Sequence, residues 1–383
     1  MIHSKADVVV IGGGVIGTSI AYHLARRKIQ VILLEKNELA SGSSGACDGL
    51  VFMQSKKPGV HLQMAIKGRS RFEQLQEELP FNIEYEPCGG MVVIETESEF
   101  DSMRLFVKEQ RKIGMDVSLL DVKQARDMEP NLSEHIKGAT YSPLDGKVNP
   151  IALTYGFALG AKQYKAKIIT GAPVQRIHVV NGRIKYVDTG NERFEAHTFV
   201  NAAGVYSDEI GKLIGLRIPI TPRRGQILVT EFTKPFMHCS IISAKYIAAK
   251  FNPDCAGGEG EGVSVDQTFS GNVLLGSTRE FVGFDNRTTL EGLRKIANQS
   301  STIISGLRQL NIIRSFAGLR PYTPDGLPIL GPVEGIDGFI MAAGHEGDGI
   351  ALSPVTGELI AQLIIDGRTT VSLNEFRLER FFQ

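Results

Sequence analysis

The sequence predicts an α/β fold in which one domain is built on a parallel sheet. An α+β domain, built on an antiparallel or mixed sheet, is interleaved with it. Three observations carry that expectation: an N-terminal strand–glycine turn–helix–strand unit, a change of texture near residue 86, and a second glycine-rich strand–helix junction near the C-terminus. At 383 residues, 42% of them hydrophobic, the chain has material for two cores, since domains usually run to about 100–200 residues.

Residues 7–11 are a β-branched run that ends in glycines, residues 18–27 carry a helical pattern closing in basic side chains, and residues 31–35 read as a second buried strand. Two strands joined through a helix in under 30 residues form a βαβ unit, which demands a parallel sheet. From about residue 86 the pattern shifts to a strand at 90–95 and a charged amphipathic helix at 98–114. A helix returns within 147–166, followed by strands at 167–170, 174–179, 184–188 and 199–204. Strands at 226–230 and 272–276 and a helix at 290–307 precede the last unit: a strand at 338–343, a glycine turn and a helix at 350–366. No Pro/Ser-rich linker marks a boundary, so the domains are expected to be discontinuous: 1–85, 146–219 and 314–383 in the first, 86–145 and 220–313 in the second.

Lys plus Arg equals Asp plus Glu at 42 each, so no net field gathers a polyanion and nucleic acid is not an expected partner. Cys47, Cys88, Cys239 and Cys255 make no CxxC pair and no Cys/His cluster at ligand spacing; no metal site is expected, and reduced thiols in a cytoplasmic protein are. The uncharged stretch 8–22 is shorter than the ~20 residues a membrane span needs and is interrupted by four glycines, so it is read as neither span nor targeting segment. No HExxH, P-loop or Ser/His/Asp order points to hydrolase or kinase chemistry.

Gly12, Gly14 and Gly17 fit GxGxxG between a strand and a helix. The first glycine makes the turn, the second admits a pyrophosphate to the backbone, and the third lets helix pack on strand. Glu35, closing the next strand, stands where a carboxylate accepts hydrogen bonds from a ribose diol, which disfavours a 2′-phosphate. The domain is therefore Rossmann-like. The small-residue loop 41–50 and the junction at Gly344–Gly349, whose amides open a helix, suit an extended cofactor and favour FAD over NAD.

On segments 8–17, 34–35, 41–50, 201–204, 224–226, 318–326 and 344–354 the chain resembles the D-amino-acid oxidase superfamily over essentially its whole length. Its branch is that of glycine oxidase, sarcosine oxidase β subunits, and hydroxyproline and proline dehydrogenase β subunits. The resemblance implies FAD contacts at Val15, Ile16, Glu35, Lys36, Ser43, Ser44, Asp48, Gly49, Leu50 and Val174, and at His345, Glu346, Gly347, Asp348, Gly349, Ile350 and Ala351. Arg320 matches the arginine that holds the substrate carboxylate, a task its planar fork performs with two parallel hydrogen bonds. Tyr246 resembles a second substrate contact, with an ordinary strand tyrosine as the alternative. His345 would lie beside the flavin, offering backbone more than a titrating ring. Where glycine oxidase carries a second substrate arginine this chain has Gly347, which favours a proline-, hydroxyproline- or sarcosine-type substrate.

No cysteine lies within 320–325, so FAD is expected to be non-covalent. Asn149 replaces a histidine that bonds FMN in heterotetrameric sarcosine oxidase, leaving only a non-covalent FMN at a subunit boundary. Residues 270–285 most resemble β subunits of multisubunit dehydrogenases, so redox partner subunits are expected. A free-standing oxidase and a non-catalytic FAD scaffold are the alternatives. The stretch 257–262 reads as a surface loop or a flap.

Overall fold

The computed structural model describes residues 2–251 and 262–382. Its centre is a six-stranded sheet in the order Ile329–Pro332, Phe339–Ala343, Thr198–Asn201, Val8–Ile11, Val31–Leu34, Lys167–Ile169. Only the first pairing is antiparallel. All four residues of Val8–Ile11 are buried, and period-two alternation sends Val8 and Val10 into one core and Val9 and Ile11 into another. Both faces of a parallel sheet must be covered, and they are. One is covered by the first helix, Val15–Arg26, which packs against the helices Pro150–Gln163 and Gly349–Asp366.

The last helix is apolar along its length because it is buried among its neighbours. A Cβ on Gly357 would stand 2.2 Å from Ser19 Oγ of the first helix, so glycine is what lets the two meet. The helix Val60–Glu78 packs on the same helix from the other side. It went unread in the sequence, although Leu62, Ala65, Phe72 and Leu75 recur on one buried face.

The second domain is an eight-stranded mixed sheet. Its order runs Ile312–Tyr322, Thr221–Phe232, Asn272–Gly276, Ser264–Gln267, Ser240–Ser243, Gly90–Ile94, Gly138–Ser142, Ser118–Leu120, with one parallel pairing, Ser240–Ser243 on Gly90–Ile94. The strand Ile312–Tyr322 pairs with Thr221–Phe232 over its length, so the boundary expected at 314 falls inside a strand of this sheet. A smaller sheet of four strands, within 2–5 and 176–195, flanks the parallel one. Residues 257–261 of the expected loop lie outside the described residues.

Candidate active site

Between the carboxyl ends of the parallel strands and the eight-stranded sheet lies a cavity of about 640 Å³. Gly12 opens it with φ 116°, and a Cβ there would strike the Ala202 carbonyl oxygen at 2.4 Å, so only glycine fits. A Cβ at Gly17 would lie 2.0 Å from the Gly12 oxygen; this glycine serves helix–strand packing and does not line the cavity. Glu35 Oε2 accepts from Gly13 N at 2.6 Å and Oε1 from Asn37 N at 2.8 Å. Each carboxylate oxygen keeps a second acceptor site for a ribose hydroxyl. Ser44 Oγ accepts from Val15 N at 3.0 Å, pinning the loop to the first helix, and Ser43 Oγ donates to Leu319 O at 2.5 Å, pinning it to the strand that carries Arg320.

Gly12, Gly14, Val15, Ile16, Glu35, Lys36, Ser43, Ser44, Asp48, Val174, Gly344, His345, Glu346, Gly347, Gly349 and Ile350 all line the cavity. Five expected contacts do not. Gly17 is explained above; Gly49, at φ 84°, faces the Val148 carbonyl, and Leu50 pairs with Lys147 in a short strand. Asp348 is turned inward to Lys56, and Ala351 is fully buried in the last helix. Tyr246 is not the strand tyrosine that the alternative reading had: it is buried at the start of a helix, Ala244–Phe251.

The far end of the cavity carries Arg320 and Tyr246. Arg320 Nη1 donates to Thr278 O at 3.0 Å and Nη2 to Ser277 Oγ, which fixes the guanidinium across the neighbouring strand. A Cβ on Gly225 would sit 2.3 Å from Nη1, so the glycine of the Arg224–Gln226 segment is what admits it. The Arg279 guanidinium lies 4.0 Å over the Tyr246 ring and holds it by cation–π attraction. Glu346 Oε1 lies 3.7 Å from Arg223 Nη1 and 3.9 Å from Arg320 Nε, so its carboxylate faces the arginines. Burial, opposed by Glu346 and reinforced by Arg279 and Arg320, brings Arg223 down to about 10.

Gly347 stands between the two candidate substrate groups: a Cβ there would be 3.7 Å from Arg320 Nε and 3.9 Å from the Tyr246 hydroxyl. His345 Nε2 meets Thr356 Oγ1 at 3.1 Å, within the last helix, and burial lowers its pKa to about 3. The ring is thus turned toward the last helix while the residue itself lines the cavity, as the reading of His345 as a backbone contact expects. Cys47 lines the cavity too, with its thiol pushed up to about 12 by burial and by Asp48. Sequence reasoning quoted 201–204 only as carrying the resemblance and did not place 202–206 or 172–173 in the wall; they follow strand ends that only sheet order brings beside Gly12.

Glycines that bring backbone up to the cavity, helix amides facing it and a carboxylate at the ribose position fit FAD. Fold and site together define an oxidoreductase that works through a bound dinucleotide cofactor. A family model described as DAO, FAD dependent oxidoreductase, matches residues 7–363, and the chain belongs to that family. A protein named glycine oxidase from Geobacillus kaustophilus is 30% identical over 387 residues, covering 98% of this chain and 97% of its own. The crystal structure of L-proline dehydrogenase from P. horikoshii shares 28% identity with a TM-score of 0.91, covering 100% of this chain and 99% of that one. Hydrogen cyanide synthase subunit HcnC of Pseudomonas protegens is 29% identical over 418 residues, with 98% and 96% covered.

Proposed function

We propose that this FAD-dependent enzyme oxidises a small amino or imino acid at its α-carbon, with a secondary or cyclic amine of the proline, hydroxyproline or sarcosine type as substrate. The observation that carries the reading is the fixed Arg320 fork at the cavity's end, separated from the Tyr246 hydroxyl by a residue with no side chain. Arg320 receives the carboxylate; two parallel bonds set which face of the α-carbon is presented. Tyr246 bounds the other side, and the space at Gly347 accommodates a ring or an N-methyl group. Bound FAD supplies the hydride acceptor. Arg320 and Tyr246 supply orientation, and the His345 ring, engaged with Thr356, is left out of the proton transfers. No cysteine lies within 320–325, which supports non-covalent FAD.

The likeness to a protein named as a subunit supports a β subunit passing electrons to partner subunits; a non-covalent FMN at a boundary between them belongs to the same reading. The likeness to glycine oxidases supports the second reading, a free-standing oxidase. Anaerobic visible spectra decide: the yellow protein is expected to bleach with L- or D-proline, hydroxyproline or sarcosine, and less readily with glycine. A yellow protein bleached by none of them sinks the substrate reading in favour of an FAD scaffold. Rapid peroxide formation in air by a homo-oligomer favours the oxidase.

A further inference from the structure

The last helix opens onto the cavity, and the residue before it is an aspartate. Aspartate is among the strongest N-cap residues, because its carboxylate accepts from the N–H groups of the first turn. Asp348 does not do so: among the described residues no side chain caps this helix. Its carboxylate is turned into the interior instead. Oδ1 lies 2.7 Å from Lys56 Nζ and Oδ2 3.3 Å from His61 Nε2, with the Lys56 and Asp348 side chains each 2% exposed.

Lys56 is held from its own side as well. Nζ donates to Phe52 O at 2.5 Å and to Ser55 Oγ at 3.0 Å. The segment behind it is clamped to the eight-stranded sheet and its cover: Asp145 accepts from Met53 N at 2.5 Å and from Gln54 Nε2 at 2.7 Å, while Gln110 Nε2 donates to Gln54 O at 2.9 Å. The lysine is thus a cation held by its own segment, which is tied to the strand Gly90–Ile94 through Gln54, and directed at the start of the last helix. A buried ion pair adds little stability, since desolvating two charges offsets much of their attraction. Its consequence lies at the helix: with Asp348 drawn away, the first amides, at Gly349 and Ile350 in the cavity wall, stay open.

We propose that Lys56 is a positioning residue that withholds the Asp348 carboxylate from the start of the last helix and so reserves its first amides for FAD. The proposal rests on FAD dependence and not on the identity of the substrate. Without Lys56, the carboxylate is drawn to the positive end of the helix dipole, where it competes with the cofactor and opposes negative charge on its reduced form.

The test uses the full chain and compares the wild type with Lys56→Met, Lys56→Arg and Lys56→Met/Asp348→Gly. Two quantities are read: the FAD dissociation constant, by fluorescence titration of the apoprotein, and the midpoint potential of bound FAD, by reductive titration against a reference dye. Lys56→Met is expected to weaken FAD at least tenfold and to lower the potential by about 30 mV, the equivalent of tenfold for a two-electron couple. Lys56→Arg is expected to retain both values, and the double variant, which has no carboxylate to misplace, to recover them. Unchanged values in Lys56→Met overturn the proposal, as does a double variant as impaired as the single one, for then Lys56 only props up its own segment. If Lys56→Met does not fold, a folded, FAD-binding double variant supports the proposal and an unfolded one overturns it.

Discussion

Arg320 is legible in the sequence as an arginine beside a Pro/Gly-rich turn, but what suits it to the proposed anchor role is its neighbours. Thr278 and Ser277 take two of its N–H groups and Gly225 clears the space it lies in, so the fork is oriented before any ligand arrives. Arg320→Leu is expected to lower kcat/KM by roughly 30- to 1000-fold, about 2–4 kcal/mol for a charge-assisted pair, while FAD stays bound. Steady-state kinetics with the substrate identified by bleaching checks this, and unchanged kinetics would remove Arg320 from the site. His345 was read as offering backbone more than its ring, and its Nε2 is engaged by Thr356 Oγ1 at 3.1 Å, a partner no local pattern encodes.

At the scale of elements, the N-terminal βαβ unit was readable because its signals are local: a β-branched run, three glycines at fixed spacing and an acid at the next strand's end. Gly17→Ala tests the packing part of that pattern. A methyl there meets the Gly12 carbonyl at 2.0 Å, and relief requires the helix to move off the turn. The variant is expected to purify with markedly less FAD, by at least tenfold in affinity, about 1.4 kcal/mol, in a direct titration. The helix Val60–Glu78 was missed because polar residues dilute its apolar stripe, and the start of Ala244–Phe251 was misread because Ile and Tyr carry strand preference that burial against the sheet overrides. The strand Ile312–Tyr322 contains a proline and a glycine, both poor strand residues, and is held by its pairing with Thr221–Phe232.

Across the whole molecule, burial of acids in the eight-stranded domain links stability to pH. Asp266 accepts from Ser240 Oγ at 2.7 Å, yet burial, eased by Lys147 3.8 Å away and reinforced by Asp48 and Glu86, raises its pKa to about 7. A folded-state pKa above the unfolded value contributes stability that is complete below about 3.8 and is lost as pH rises through about 7. Asp266→Asn removes that contribution together with its loss. Relative to the wild type, its Tm is therefore expected to rise as pH goes from 4 to 8, with a stability difference changing by on the order of 3 kcal/mol. Thermal melts at several pH values measure it; parallel Tm curves would show that the acid does not titrate in this range.

The sequence by itself determined the parallel sheet, the glycine turn with Glu35, the second junction at Gly344–Gly349 and the dinucleotide cofactor, because each is set by steric or hydrogen-bonding demands within a few residues. It located Arg320 and Tyr246 but could not join them, being 74 residues apart and in different kinds of element. Tertiary structure alone decided that Gly347 separates the two, that Arg279 lies over Tyr246, that the strand beginning at Ile312 belongs to the eight-stranded sheet, and that Lys56 draws Asp348 off the helix it precedes. Those relations arise where strands distant in the chain become neighbours, and buried charges find their partners only once packing has excluded water.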